Sequence, residues 1–215
     1  MSPCRLLFAS ALLANSTILS ATVTIAVTDQ HGAPLADAVI EIADTQPTVE
    51  NTDDIAIVDQ IDKAFVPDQL VIQQGQLVDF PNSDNIRHHV YSFSKAKAFE
   101  LKLYADKPEQ PVRFDQHGVV VLGCNIHDTM VGYIYVAGDK RVETTNEDGL
   151  AHFADDIQRV SVWHAHQTTG PEQLTHYDLG QLNQTREGRY QVTVDVMPPP
   201  PRDTFKDTFG ENFQP

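Results

Sequence analysis

GVVVLGCNIHDTMVGYIYV, residues 118–136, decides how this chain folds. Two runs rich in Val, Ile and Tyr have the composition of β-strands, and the polar stretch between them is short enough to join neighbouring strands. That stretch, CNIHDTM (124–130), sets a thiol, an imidazole and a thioether close together. The chain is otherwise poor in sulfur. It has 2 cysteines and 3 methionines, and Cys124 is the only cysteine beyond the first few residues.

The same strand pattern extends in both directions. TVTIAVT (22–28), DAVIEIA (37–43), QLVIQQGQLVDF (69–80), RVSVWHAH (159–166) and RYQVTVDV (189–196) are short runs divided by Gly, Pro, Asn and Asp turns. No stretch of useful length repeats its apolar residues at helical spacing, so the expected class is all-β, as one sandwich or two. The end of the chain, MPPPPRDTFKDTFGENFQP, carries a proline run and no periodicity, and residues 198–215 are expected to be a disordered tail.

The opening, MSPCRLLFASALLANSTILSATVTI, places Arg5 before an apolar run and then small and hydroxyl residues, the layout of a secretory signal peptide over residues 1–21. Cleavage after Ser16 and cleavage near Ala21 both fit. The run is shorter than the roughly 20 apolar residues a membrane span needs. The expectation is therefore a soluble exported protein, periplasmic, with no membrane span. Cys4 would leave with the leader. A lone thiol in an oxidising compartment has no internal disulfide partner, and it persists where it is buried or where something else occupies the sulfur.

With 15 Lys+Arg against 30 Asp+Glu the formal charge is −15. That balance argues against nucleic acid and anionic membrane as partners and leaves a basic protein surface as a candidate one. Enzyme motifs are missing: there is no serine-nucleophile motif, no Gly-rich phosphate loop and no H-E-x-x-H. A Cys124/His127 pair could serve a thiol hydrolase, but no orienting third group is identifiable.

Two imidazoles and a thiolate in a plane, with a weak axial thioether, are the ligand set of a type 1 copper site. Cys124 ends the first strand of the opening segment, His127 sits in the loop and Met130 begins the next strand. Upstream, NSDNIRHHVYSF (82–93) supplies His88 and His89 at the start of another strand. Read as a buried small hydrophobe, Cys124 would leave the coincidence of His127 and Met130 unexplained. Structural zinc prefers several cysteines, and a thioether is a poor ligand for it.

FVPDQLVIQQGQLVDFPNSD (65–84) resembles the F-x-P and G-x-x-V-x-F-x-N elements of the plastocyanin/azurin family. MVGYIYV resembles that family's closing strand, and the spacing C-x2-H-x2-M is similar to the short ligand loop of amicyanin. The whole chain is similar to the two-part bacterial cupredoxin-type proteins often labelled methylamine utilization proteins. On either side, VTDQHGAPLADAVIEIAD (27–44) and TTNEDGLAHFADDIQRVSVWHAH (144–166) resemble the carboxypeptidase-regulatory-like, transthyretin-type sandwich.

These resemblances imply a cupredoxin Greek-key β-sandwich over 48–138, combined with a second transthyretin/Ig-like β-sandwich assembled from 22–47 and 139–197. In the competing arrangement the N-terminal hairpin extends the central sandwich and a separate C-terminal domain follows. The resemblance further implies one type 1 copper ion held by His88, Cys124, His127 and Met130. The family's P-H-N-V reads Arg87-His88-His89-Val90 here, which aligns His88 with the ligand. Adjacent strand residues face opposite sides, so one of the two histidines faces the metal, with His89 in reserve. His127 corresponds to the ligand that usually reaches the surface and is the expected point of electron exchange.

The implied function is an exported, monomeric carrier of single electrons between redox partner proteins, not an enzyme. The alternatives are a non-redox copper-holding or sensing module and an extracellular interaction scaffold. His164 and His166 share a strand face and are candidates for a second metal, while Trp163 is expected in a sandwich core.

Overall fold

A computed structural model describes residues 22–42, 54–154 and 157–198. The expected signal peptide, residues 1–21, and all but the first residue of the expected tail, 198–215, lie outside the described residues. What is described is strands joined by turns, with one 3₁₀ turn at Leu179–Gln181. No helix among the described residues is long and apolar enough to cross a membrane.

The opening segment forms the centre of a five-stranded sheet. Strand Gly118–Gly123 pairs antiparallel with Val131–Ala137, from Gly118↔Val136 to Gly123↔Val131. Outside this pair lie Gln69–Gln73 on one flank and His88–Phe93, then Ala98–Tyr104, on the other. A smaller sheet of Val112–Arg113, Leu77–Asp79 and Ala56–Ile57 supplies further residues to the same core. QLVIQQGQLVDF, one run in the sequence, is two strands belonging to different sheets. The chain turns between them at Gly75, whose φ of 90° suits a residue without a Cβ. The core holds Val120, Leu122, Ile134 and Val136 with Phe65, Ile72, Val78, Phe80 and Phe114, none more than 3% exposed.

Side chains alternate across a strand. With Val120, Leu122, Ile134 and Val136 facing this core, Val119, Tyr135 and Ala137 point to the other side of the sheet, where a second set of sheets lies. One of these orders Val142–Thr144, Val39–Ile42, Arg159–Trp163 and Thr175–Asp178; the other orders Leu150–Phe153, Val23–Thr28 and Tyr190–Thr193. They share a core of Ile25, Val27, Ile40, Ile42, Phe153, Val160, Val162 and Val192. Strand Val39–Ile42, which precedes the central block, is thus zipped between two strands that follow it.

The same alternation decides what lies at the seam. Val160 and Val162 face their own core, so Trp163 turns outward and is buried with Val39, Val119, Tyr135 and Ala137. Sequence reasoning places Trp163 inside one sandwich; the structure places it between the two sets of sheets. Its Nε1–H donates to the Pro171 carbonyl at 2.7 Å. Glu41, between Ile40 and Ile42, is likewise turned to the seam and has no exposed surface. Its carboxylate accepts from His117 Nε2 at 2.7 Å, Lys140 Nζ at 2.9 Å and the Tyr135 hydroxyl at 3.1 Å.

Burial alone would raise the Glu41 pKa, but the hydrogen bonds from His117 and Lys140 outweigh it and bring the carboxyl down to about 2 from 4.5. A depressed carboxyl contributes stability that is whole above its unfolded value and lost as pH falls through the folded one. Between neutral pH and about pH 3 the wild-type urea midpoint is therefore expected to fall more steeply than that of Glu41→Gln. Parallel acid limbs for the two proteins would remove Glu41 from the account.

Candidate metal centre

Strand alternation carries the core face of Gly118–Gly123 on to Cys124 and that of Val131–Ala137 back to Met130. Both sulfur residues lie in the same hydrophobic cluster, 2% and 1% exposed. The loop between them closes where the Met130 N–H donates to the His127 carbonyl at 2.9 Å. Two glycines let aromatic rings lie against the flanking strands. A Cβ on Gly132 would meet the Phe65 ring at 3.0 Å, and one on Gly123 would meet the Tyr91 ring at 2.8 Å.

His88, at the start of its strand, is fully buried, and its Nδ1 lies 3.8 Å from Cys124 Sγ. The rings of His88 and His127 are 5.1 Å apart. One ligand atom from each of His88, Cys124 and His127 falls within 4.8 Å of the others. His89 faces the opposite way: its Nε2 lies 3.0 Å from Glu100 Oε1 and its ring stacks near Tyr91.

Asp84 decides the tautomer of His88. Its Oδ2 is 2.7 Å from His88 Nε2, and because a carboxylate only accepts, Nε2 carries the proton and Nδ1 keeps its lone pair on the side of Cys124. Asp84 is itself fixed by the backbone N–H groups of Asp62 and Lys63, at 2.7 and 3.0 Å. Those two residues form the two-residue turn of the hairpin Asp59–Ile61/Ala64–Val66, both at positive φ (51° and 60°), a conformation that leaves successive amides pointing at one acceptor. Burial acts to raise the Asp84 pKa, yet the amides of Lys63 and Asp62 and the His88 hydrogen bond together hold it below the usual carboxylate range. Asn82 secures the loop, donating through Nδ2 to the carbonyls of Ile86 and Tyr104. Asn82, Asp84 and His88 of NSDNIRHHVYSF thus become staple, orienting acceptor and donor ligand.

The donor set fits copper. Burial, reinforced by neighbouring His88 and Lys63, pushes the His127 pKa below its usual range and favours the neutral, lone-pair-bearing ring. His127 Nδ1 is buried and has no hydrogen-bond partner among the described residues, an orphaned nitrogen of the kind a metal would satisfy. A thiol and two imidazoles in one cluster, with the Met130 thioether in the same hydrophobic core as Cys124, match the soft, mixed set that copper prefers. Asp84→Asn keeps the shape but can neither enforce the tautomer nor supply the charge. Copper affinity, measured by competition with a chelator, is expected to fall roughly 10–100-fold. An unchanged affinity would make Asp84 a loop fastener only.

His164 and His166, the candidates for a second metal, stand side by side with ring centroids 5.6 Å apart, and local hydrogen bonds engage His164. His164 Nδ1 accepts the His166 backbone N–H at 3.1 Å, and a backbone hydrogen bond with Ala36 engages His164 as well. Sequence spacing places both on one strand face; in the structure the strand ends at Trp163 and both histidines lie beyond it, bound by these local bonds.

No family model matches this chain, and none of the curated proteins matches it. Solved structures do. The copper-containing nitrite reductase of Thermus scotoductus SA-01 is 24% identical with a TM-score of 0.36, over 39% of this chain and 22% of the reductase. An oxidised methionine-to-lysine variant of amicyanin is 18% identical with a TM-score of 0.36, over 46% of this chain and 98% of amicyanin. A reduced tryptophan-to-tyrosine amicyanin variant gives 23% and 0.34, over 47% and 99%. These structural neighbours are cupredoxins. This chain spans only about a fifth of the reductase but nearly all of amicyanin.

Proposed function

We propose that this chain is a type 1 copper protein that carries single electrons between redox partner proteins. The observation that carries the reading is the convergence of His88, Cys124 and His127, whose ligand atoms lie within 4.8 Å of one another. When bound, copper supplies a one-electron couple between Cu(I) and Cu(II). The chain's own residues hold the donors in place. Cys124 offers a thiolate from the end of a strand. His88 is locked through Asp84, and Met130 lies in the same buried cluster. A site braced by strands and a carboxylate moves little between oxidation states, which is what a carrier needs. His127, only partly buried and next to Ile126 at 45% exposure, is the most exposed of the four candidate ligands and the point of electron exchange.

In this reading residues 48–138 are the copper unit, and 22–47 with 139–197 form a sandwich that supports it. The protein is exported to the periplasm and acts as a carrier rather than an enzyme. Copper-loaded protein tests the proposal: an intense visible absorption together with reversible voltammetry supports it. A colourless copper complex sinks it. Colour without reversible electron exchange would instead make this a copper-holding module.

A further inference from the structure

One face of the hairpin His88–Phe93/Ala98–Tyr104 is occupied by neither core. His89, Tyr91 and Phe93 share it with Ala98 and Glu100, and with Asn125, the neighbour of Cys124, they line an open groove of about 630 Å³. Rings step along it, from His89 to Tyr91 at 5.6 Å and from Tyr91 to Phe93 at 5.1 Å. Phe93 is 86% exposed, the most exposed of the large apolar side chains among the described residues. At the inner end, the Tyr91 ring lies against Gly123, the residue bonded to Cys124. Strand Ala98–Tyr104 is the edge of its sheet among the described residues.

The charge here runs against the rest of the molecule. Residues 87–113 hold six bases (Arg87, Lys95, Lys97, Lys102, Lys107, Arg113) and three acids (Glu100, Asp106, Glu109), a net of +3 (6 − 3) inside a chain of −15. Lys95 and Lys97 stand in the turn of the hairpin beside Phe93, and Lys102 on its edge strand. No ion pair engages any of the three among the described residues. Two acids stand among them, Glu100 hydrogen-bonded with His89 and Glu172 accepting from Ser94 Oγ at 2.7 Å, and the three lysines outnumber them. An exposed aromatic centre with a rim of unpaired cations is the make-up of a docking surface for a negatively charged partner.

We propose that this hairpin face is a second, lateral docking surface for an acidic one-electron redox protein, with Tyr91 and Gly123 as its link to Cys124. The proposal rests on the carrier reading and adds a surface distinct from the His127 end. It also reverses, for this face, the expectation of a basic partner drawn from the whole-chain charge. No bond forms or breaks: the reduced centre loses one electron, the partner's centre gains it, and Tyr91 stays closed-shell throughout.

The acidic haem protein cytochrome b5 serves as probe, titrated into copper-free protein and followed by backbone NMR. Shifts or broadening centred on Tyr91, Phe93, Lys95 and Lys97, suppressed by salt and by Lys95→Glu/Lys97→Glu, are expected. In copper(I)-loaded protein the same double variant should slow oxidation by hexacyanoferrate(III) roughly tenfold at low salt. Backbone spectra of the variant establish that it folds. Perturbations centred on Ile126 and His127, scattered ones, or an unchanged rate would overturn the proposal. If copper-loaded wild type proves redox-silent, the carrier reading fails, and the copper-free titration still decides whether the surface exists.

Discussion

On the proposed type 1 copper reading, replacing Cys124 by serine is expected to abolish the visible absorption of the copper-loaded protein and its reversible electron exchange, while far-UV circular dichroism stays that of a β-protein. The band and the couple both depend on a deprotonated sulfur, and a serine hydroxyl neither ionises at neutral pH nor offers a soft donor. Cys124 is buried at 2% exposure, so serine also places a hydroxyl in the hydrophobic cluster that holds Leu122 and Met130. Copper affinity is expected to fall by more than the roughly 10–100-fold assigned to loss of Asp84, an outer partner. A serine variant that kept the colour would show that the metal, if bound, lies elsewhere.

The second large effect is on stability. Trp163→Ala is expected to cost roughly 3–5 kcal/mol, because a fully buried indole leaves a cavity too well walled to collapse. The walls come from both sides of the seam. Tyr133 and Tyr135 pack their rings 6.0 and 5.6 Å from Trp163, and the Pro171 carbonyl loses its donor. In a protein of this size each kcal/mol moves Tm by roughly 2–4 °C, so a fall of about 10 °C is the measurable outcome. Trp163→Phe, which keeps an aromatic body, should lose less than half as much. A loss below about 1 kcal/mol for the alanine variant would mean that the seam contributes little to stability.

What was legible in the sequence was local. Cys124, His127 and Met130 sit within one short loop, and strand alternation, a property of consecutive residues, is enough to send Cys124 and Met130 to one face. The adjacent histidines at 88 and 89 are separated by the same rule, and His88 is the one that lies in the cluster. Asp84 stands four residues before His88, but neither its role nor its anchoring by Asp62 and Lys63 is legible there. Those amides come from a turn about twenty residues away, and nothing in a two-residue Asp-Lys step announces positive φ. Glu41 and His117 are 76 residues apart, and a glutamate inside VIEI looks like an ordinary solvent-facing strand position until the second sheet covers it. Strand ends were also blurred. QLVIQQGQLVDF has no apolar gap wide enough to mark the turn at Gly75, and AFELKLY, diluted by Glu100 and Lys102, lacked a strong strand signature of its own.

The pairing of Val23–Thr28 with Tyr190–Thr193 sets the order in which the molecule can be assembled. A ribosome releases residue 23 long before residue 190, and strands so distant along the polymer close slowly because the intervening loop must first be made compact. The central block, whose pairings all lie within residues 56–137, meets no such delay and is free to collapse first, shortening the gap its flanks must bridge. Nascent chains halted after the block should therefore resist proteases there while the opening strand is still cut.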